Sequence, residues 1–299
     1  MTSTPSTPSA AAGSAEAGRA GPSAAGGAGQ HEAHDASERQ RVSVRPGRAF
    51  AAVLGRDLFV TGRELPIFLA QVILQPFFFL FVFGRVLSEL GYTTSAYSQL
   101  LFPGIVALTA FLTSLQTTAL PLVFDFSYTK EIEDRLLAPM PVSWVALEKL
   151  VFASIRSLIA AAMMFPIGIL VLGSVPWRAA GAPLFIVVLL LGTLAGATLG
   201  LTLGTLVDAN RINIVFTLVL TPILFTGCSQ YPWPSLYKLK WFQWLTTLNP
   251  LTYVSEGMRA ALVPGVPHIR SWVCVLMLVV SLIVFGTIGV KGFLRRAID

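Results

Sequence analysis

The sequence predicts an all-α polytopic membrane protein with six transmembrane helices, an N-terminal amphipathic helix at the membrane interface and short outer re-entrant helices after the fifth span. Three observations carry this. Of 299 residues, 54% are hydrophobic and 12% charged, where a soluble domain carries about 25% charged residues. Six largely apolar stretches approach the roughly 20 residues that a helix needs to cross hydrocarbon. None of them shows the period-two alternation of a transmembrane barrel strand. Three histidines and two cysteines are too few for a zinc cage, an iron–sulfur cluster or a disulfide framework, so neither metal nor cofactor is expected in this chain. The net charge of +6 is scattered between apolar stretches and forms no basic patch with interleaved aromatics, which argues against nucleic acid as a partner.

Residues 1–45 are dominated by Ala, Gly, Ser, Thr and Pro and are expected to form a disordered tail, because they cannot bury enough apolar surface to offset ordering entropy. They contain no basic start followed by an apolar run and cleavage site, so no secretory signal is read here. Residues 46–299 form the membrane domain. At its start Arg45, Arg48, Arg56 and Arg63 alternate with Phe50, Val53, Leu54 and Leu58 at helical spacing, the pattern of a basic helix lying on the membrane surface. Spans are expected at 66–87, 101–124, 148–172, 183–207, 212–228 and 271–290. The fifth is short and interrupted by Pro222 before Gly227, which predicts a turn back or a continuation into short outer helices. With the amino terminus inside, twelve Lys and Arg fall on the inner side and six (Arg85, Arg178, Lys238, Lys240, Arg259 and Arg270) on the outer. That bias, with an even number of spans, places both termini in the cytoplasm of a cell-membrane protein.

Polar residues inside the spans come next. Thr109, Thr113 and Gln116 recur at helical spacing, with Ser114 and Thr117 beside them, and Asn213, Thr217 and Thr221 form a second stripe. The two stripes either flank a translocation path or bond back to their own helices. Gly192, Gly196, Gly200 and Gly204 lie on one face of the fourth span and predict close helix packing, against a partner in the same chain or another. Arg156 falls inside the third span and is expected to snorkel to the headgroups or pair with a carboxylate, the alternative being a direct contact with substrate.

Two loops carry further signals. Residues 125–150 hold Lys130, Glu131, Glu133, Asp134, Arg135 and Leu136, followed by Pro139 and Pro141. This predicts a compact helix parallel to the membrane that could dock a soluble partner. The outer segment 229–270 is rich in Trp and Tyr, suited to a membrane–water boundary. After Pro250 it reads as an amphipathic helix with Leu251, Val254, Met258 and Leu262 on one face. Glu256 and Arg259, three apart, either pair or stand separately solvated. Cys228 and Cys274 are expected as separate buried thiols.

The segments EIEDRLLAPMPVSWVALEKL, GCSQYPWPSL and LNPLTYVSEGMRAAL together resemble the type-2 ATP-binding cassette (ABC) transporter permeases, in particular their daunorubicin-resistance-like and nodulation-export-like branch. The likeness covers roughly residues 50–296. It implies a non-catalytic membrane subunit that pairs with a second permease copy or a paralogue and with separate ATPase subunits. Such an assembly exports a hydrophobic or amphipathic drug, a lipid or a lipid-linked glycan, with ATP and Mg bound on the partner. By that resemblance Glu131, Glu133, Asp134, Arg135 and Leu136, with the adjoining Lys130, belong to the helix that couples to the ATPase. A re-entrant turn would run through Pro222 and Gly227 into the outer helices, with Asn249 and Pro250 at their join, near Glu256 and Arg259. One observation agrees independently: a P-loop needs Gly-Lys before Ser or Thr, and no Gly-Lys pair occurs in the sequence. The rival readings are an ion-coupled secondary transporter, which would keep ionisable groups near the midplane and usually shows repeated halves, and a non-transport membrane scaffold. An intramembrane protease is excluded, because His31, His34 and His268 lie outside the spans.

Overall fold

The computed structural model describes residues 46–126 and 141–298, and every regular element among them is helical. Helix α1 (Pro46–Phe79) continues through a π-helical stretch, Leu80–Val86, to Glu89. Next come α2 (Ser95–Phe124), α3 (Val142–Leu172) and α4 (Ala182–Leu206). Then follow α5 (Ile212–Thr226), a 3-10 turn (Trp233–Lys238), the short α6 (Lys240–Thr246), α7 (Pro250–Leu262) and α8 (Ser271–Ile298).

Among the described residues five helices are long and apolar enough to cross a membrane: Gly47–Glu89, Ala96–Phe124, Val142–Leu172, Ala179–Leu206 and Ser271–Arg296. The expected fifth span is instead α5, a 15-residue helix. At 1.5 Å per residue it reaches about 22 Å, short of the ~30 Å hydrocarbon core. The expected interfacial helix is also not separate: α1 runs unbroken from the basic segment into the first span. No glycine or capping residue stands between Arg63 and Pro66, and a proline inside a membrane helix removes a bond without stopping it.

The bundle is built around α2 and α4. Inside the molecule lie 78% of the apolar window of α2 and 61% of that of α4, against 22%, 33% and 17% for the helices at α1, α3 and α8. The glycine stripe explains the centre. A methyl group at Gly196 would come within 2.5 Å of the Phe111 carbonyl oxygen, and one at Gly200 within 2.4 Å of the Leu115 carbonyl oxygen. Only the missing side chains let the two backbones meet. Gly204 faces Leu122 and Ala119, also on α2, while Gly192 faces Val254 of α7. The partners of the stripe therefore belong to this same chain. Ser114 adds a hydrogen bond across the contact, its Oγ donating to the Thr193 carbonyl at 2.6 Å. Thr202 similarly donates to the Phe285 carbonyl of α8 at 2.8 Å.

Helix α7 departs most from expectation. All of its residues except Ala260 are buried, packed against α2, α4 and α8, so it is a core helix and not a half-wet one. Its amphipathic pattern survives burial because Thr252, Tyr253, Glu256 and Arg259 find partners inside the protein. The exposed aromatics lie instead on and before α6, at Tyr237, Trp241 and Trp244.

Replacement of Gly196 or Gly200 by Val should force α2 and α4 apart and cost about 1–3 kcal/mol, the usual range for overpacking. Thermal unfolding of the detergent-solubilised protein checks this, with Gly47→Val, which has open space around it, as the neutral comparison.

Candidate functional site

The sequence-selected residues fall into three places. The first is the outer turn between α5 and α7. The last carbonyls of any helix lack intrahelical partners, and here side chains of the last turn and of the following segment bond the carbonyls at that end of α5. Thr226 Oγ1 donates to the Pro222 carbonyl at 2.8 Å, and Asn249 Nδ2 to the Ile223 carbonyl at 2.8 Å. Tyr231 donates its hydroxyl to the Phe225 carbonyl, and Thr252 Oγ1 donates to the Thr226 carbonyl at 3.1 Å. Asn249 also caps α7, its Oδ1 accepting from the Leu251 amide at 3.0 Å, and Pro250 sits at the first helical position, where its missing N–H costs nothing. Gly227 lies against Leu251, whose side chain fills the space a Cβ would need. Pro222, Gly227, Asn249 and Pro250 thus form one joint.

Beneath that joint Glu256 and Arg259 are fully buried and paired, Arg259 Nη1 lying 2.8 Å from Glu256 Oε1. The same carboxylate accepts from the Trp233 amide at 2.9 Å and, through Oε2, from the Ile269 amide at 3.1 Å. The guanidinium donates to the Leu100 carbonyl at 3.1 Å and the Ser229 carbonyl at 2.8 Å. Gly104 makes room, since a Cβ there would strike the Ser229 carbonyl and Arg259. Sequence spacing left the pair open; burial decides it, because an ion withdrawn from water needs a counter-ion and hydrogen bonds. The backbone partners Leu100, Ser229, Trp233 and Ile269 carry no side-chain signal that sequence reasoning could have used. Cys228, at the turn, is a free buried thiol, as is Cys274.

The second place is a cavity of about 230 Å³ between α1, α2 and α3, lined by Thr109, Thr113 and Gln116 and also by Gln71, Gln75 and Arg156. Thr109 donates back to the Ile105 carbonyl at 2.8 Å. Gln71 and Gln75, four apart in an apolar span, were legible as a stripe and escaped notice. Asn213, Thr217 and Thr221 do not join this cavity. They are exposed on α5, with Thr217 bonded back to the Asn213 carbonyl at 2.9 Å.

The third place is the inner end. Lys130, Glu131, Glu133, Asp134, Arg135 and Leu136 lie outside the described residues. The helix ends around them are held: Lys149 Nζ lies 3.2 Å from Asp125 Oδ2, and Arg296 Nη1 reaches the carbonyls of Gly204, Thr205 and Val207 at 3.4, 3.3 and 3.1 Å. A cation on those carbonyls complements the C-terminal end of α4.

Comparison with known proteins agrees with this architecture. The family described as ABC-2 type transporter matches residues 48–263, from the first turn of α1 to the end of α7. The chain belongs to the ABC-2 type transporter family. Proteins named "Putative transport permease ycf38" are similar to it along much of their length. That of Cyanophora paradoxa is 29% identical over 215 residues, 69% of this chain and 72% of the relative. That of Porphyra purpurea is 28% identical over 69% of this chain and 71% of its own. That of Pyropia yezoensis is 30% identical over 65% and 67%. As an ABC-2 permease this chain is a multi-pass membrane protein, and its matched region contains both the buried ion pair and the cavity.

Two outcomes follow from the site's chemistry. Glu256→Ala or Arg259→Ala alone should cost about 3–5 kcal/mol by stranding the other charge, while Glu256→Ala and Arg259→Ala together should cost less than the two single changes summed; a double-mutant cycle on unfolding measures this. Because it is fully buried, Cys228 should react with maleimide far more slowly than a cysteine placed at exposed Ser235, and denaturing the protein should bring the two rates together.

Proposed function

We propose that the chain is the membrane-spanning subunit of an ATP-driven exporter, powered by a separate ATPase subunit that engages residues 127–140. Membership of the ABC-2 transporter family, in a sequence with no Gly-Lys pair, is the observation that carries it. Hydrolysis needs a phosphate-cradling loop that these residues do not supply, so ATP and Mg bind on the partner. In this reading residues 130–136 form the coupling helix. The Lys149–Asp125 pair and the Arg296 cap support it, because they stiffen the helix ends that would receive the push.

The same reading gives α5 a sixth crossing, completed by the outer turn, with α6 and α7 re-entering and both termini in the cytoplasm of the cell membrane. A second permease copy or paralogue covers the exposed face of α5, where Ile214 and Leu218 stand beside Asn213 and Thr217. The stripes Thr109, Thr113, Gln116 and Asn213, Thr217, Thr221 then line the path of a hydrophobic or amphipathic cargo, a drug, lipid or lipid-linked glycan. The cycle belongs to the hinge-and-shear class of transitions.

Co-expression with the cognate ATPase should give a complex that survives purification, and joint replacement of Glu131, Asp134 and Arg135 by Ala should weaken it about tenfold or more, as for charged anchors of an interface. ATP-dependent uptake of a labelled amphipath into inverted vesicles should fall in parallel. Uptake that runs on an ion gradient without ATP overturns the reading.

A further inference from the structure

Arg156 stands seven residues beyond Lys149 on α3, roughly 10 Å further along the helix. Its Cζ atom lies 3.8 Å from the centroid of the Phe68 ring and 5.5 Å from that of Phe152, and its buried Nε has no hydrogen-bond partner. Among the described residues no carboxylate lies within ion-pair distance of it; Glu64 on α1 acts on the guanidinium electrostatically from beyond that distance. Intramembrane charge is costly and marks a functional site unless something neutralises it.

The surrounding cavity explains what would. Its polar lining is the guanidinium, three amides (Gln71, Gln75 and Gln116) and the hydroxyls of Thr109, Thr113 and Thr117, and no acidic side chain contributes to it. That set is rich in donors, since a guanidinium offers only N–H groups and the amides and the hydroxyls of Thr113 and Thr117 can turn theirs inward, while Thr109 has already donated to the Ile105 carbonyl. A cavity with a cation, several donors and no competing carboxylate selects an anion. Its volume of about 230 Å³ is below the ~300–1,000 Å³ of sites that enclose a whole small molecule. A head group fits, and the remainder of its molecule must lie outside.

The outside is also defined. Gln71 and Gln75 are exposed at the rim. On the same face of α1, at helical spacing, Ile67, Leu74 and Phe78 are 74%, 58% and 54% exposed. An apolar face running past a polar, cationic cavity is the outline of an amphipath. We propose that this cavity binds the phosphate-bearing head group of an anionic amphipath, with Arg156 as its counter-ion and the hydrocarbon tail along Ile67, Leu74 and Phe78. The occupant is a resident membrane lipid or the cargo itself. Only the second identity rests on the exporter reading; the site does not.

The test uses the full-length protein in detergent micelles, without any ATPase, titrated with short-chain phosphatidic acid, with phosphatidylcholine of the same tails and with inorganic phosphate. Phosphatidic acid should bind about tenfold or more tightly than phosphatidylcholine, and Arg156→Gln should remove that preference while Arg156→Lys keeps most of it, as expected for a charge-assisted contact. Inorganic phosphate should compete weakly. Should Arg156→Gln fail to fold, Thr113→Val with Gln116→Leu carries the test, lowering affinity for phosphatidic acid several-fold. Equal binding of the two lipids, or an unchanged preference in folded Arg156→Gln or in the Thr113→Val, Gln116→Leu pair, overturns the site and assigns Arg156 to bracing α3 against Phe68. Once binding is established, the ATPase complex in vesicles separates the sources. ATP-driven transfer of the phosphatidic acid probe upholds the site as a cargo site, and retention of the probe while another amphipath is exported upholds it as a resident-lipid site. Absence of ATP-driven export of any amphipath sinks the exporter reading and leaves the site standing.

Discussion

A carboxylate and a guanidinium withdrawn together from solvent must satisfy each other and their remaining hydrogen-bonding capacity, and the Glu256–Arg259 pair does this by holding four backbone groups in three separate segments. Leu100 belongs to the start of α2, Ser229 and Trp233 to the turn after α5, and Ile269 to the approach to α8. Each of these contacts uses a backbone group, so the pair specifies the path of the chain and is indifferent to the side chains along it. The buried α7, the capped end of α5 and the position of α8 all depend on that one contact.

Around it the bundle is graded. The α2–α4 pair is held by direct approach of backbones at Gly196 and Gly200, a contact that cannot slide without a clash. The helices at α1, α5 and α8 present much more of their surface outward. The cavity lies on the boundary between these regimes, with Thr109, Thr113 and Gln116 on the rigid wall and Gln71 and Gln75 on the outer one.

Composition and run length made most of the fold legible, because hydrocarbon permits so few backbone solutions. The glycine stripe announced a close contact, and Asn249-Pro250 a helix start, since each depends on local chemistry. What depended on distant partners was not legible. Helix α7 reads as amphipathic because Glu256 and Arg259 are charged, and nothing nearby reveals that they neutralise each other under the outer turn. The stripe could not name α2 as its neighbour. The spacing of Arg156 could not reveal that its guanidinium lies over the Phe68 ring of α1. The joining of the basic segment to the first span followed from a missing stop signal, which is harder to notice than a present one.

The π-helical stretch at Leu80–Val86 has a geometric effect on everything α1 displays. One extra residue in a turn rotates the following helix by about 100° relative to what precedes it. The widened turn is pinned where Ser98 Oγ donates to the Gly84 carbonyl at 2.7 Å. The stripe Ile67, Gln71, Leu74, Phe78 therefore cannot continue in phase toward the outer surface. Along a single rod, the residues before and after the widened turn aim in two different directions, so α1 cannot show one continuous stripe from Pro46 to Glu89.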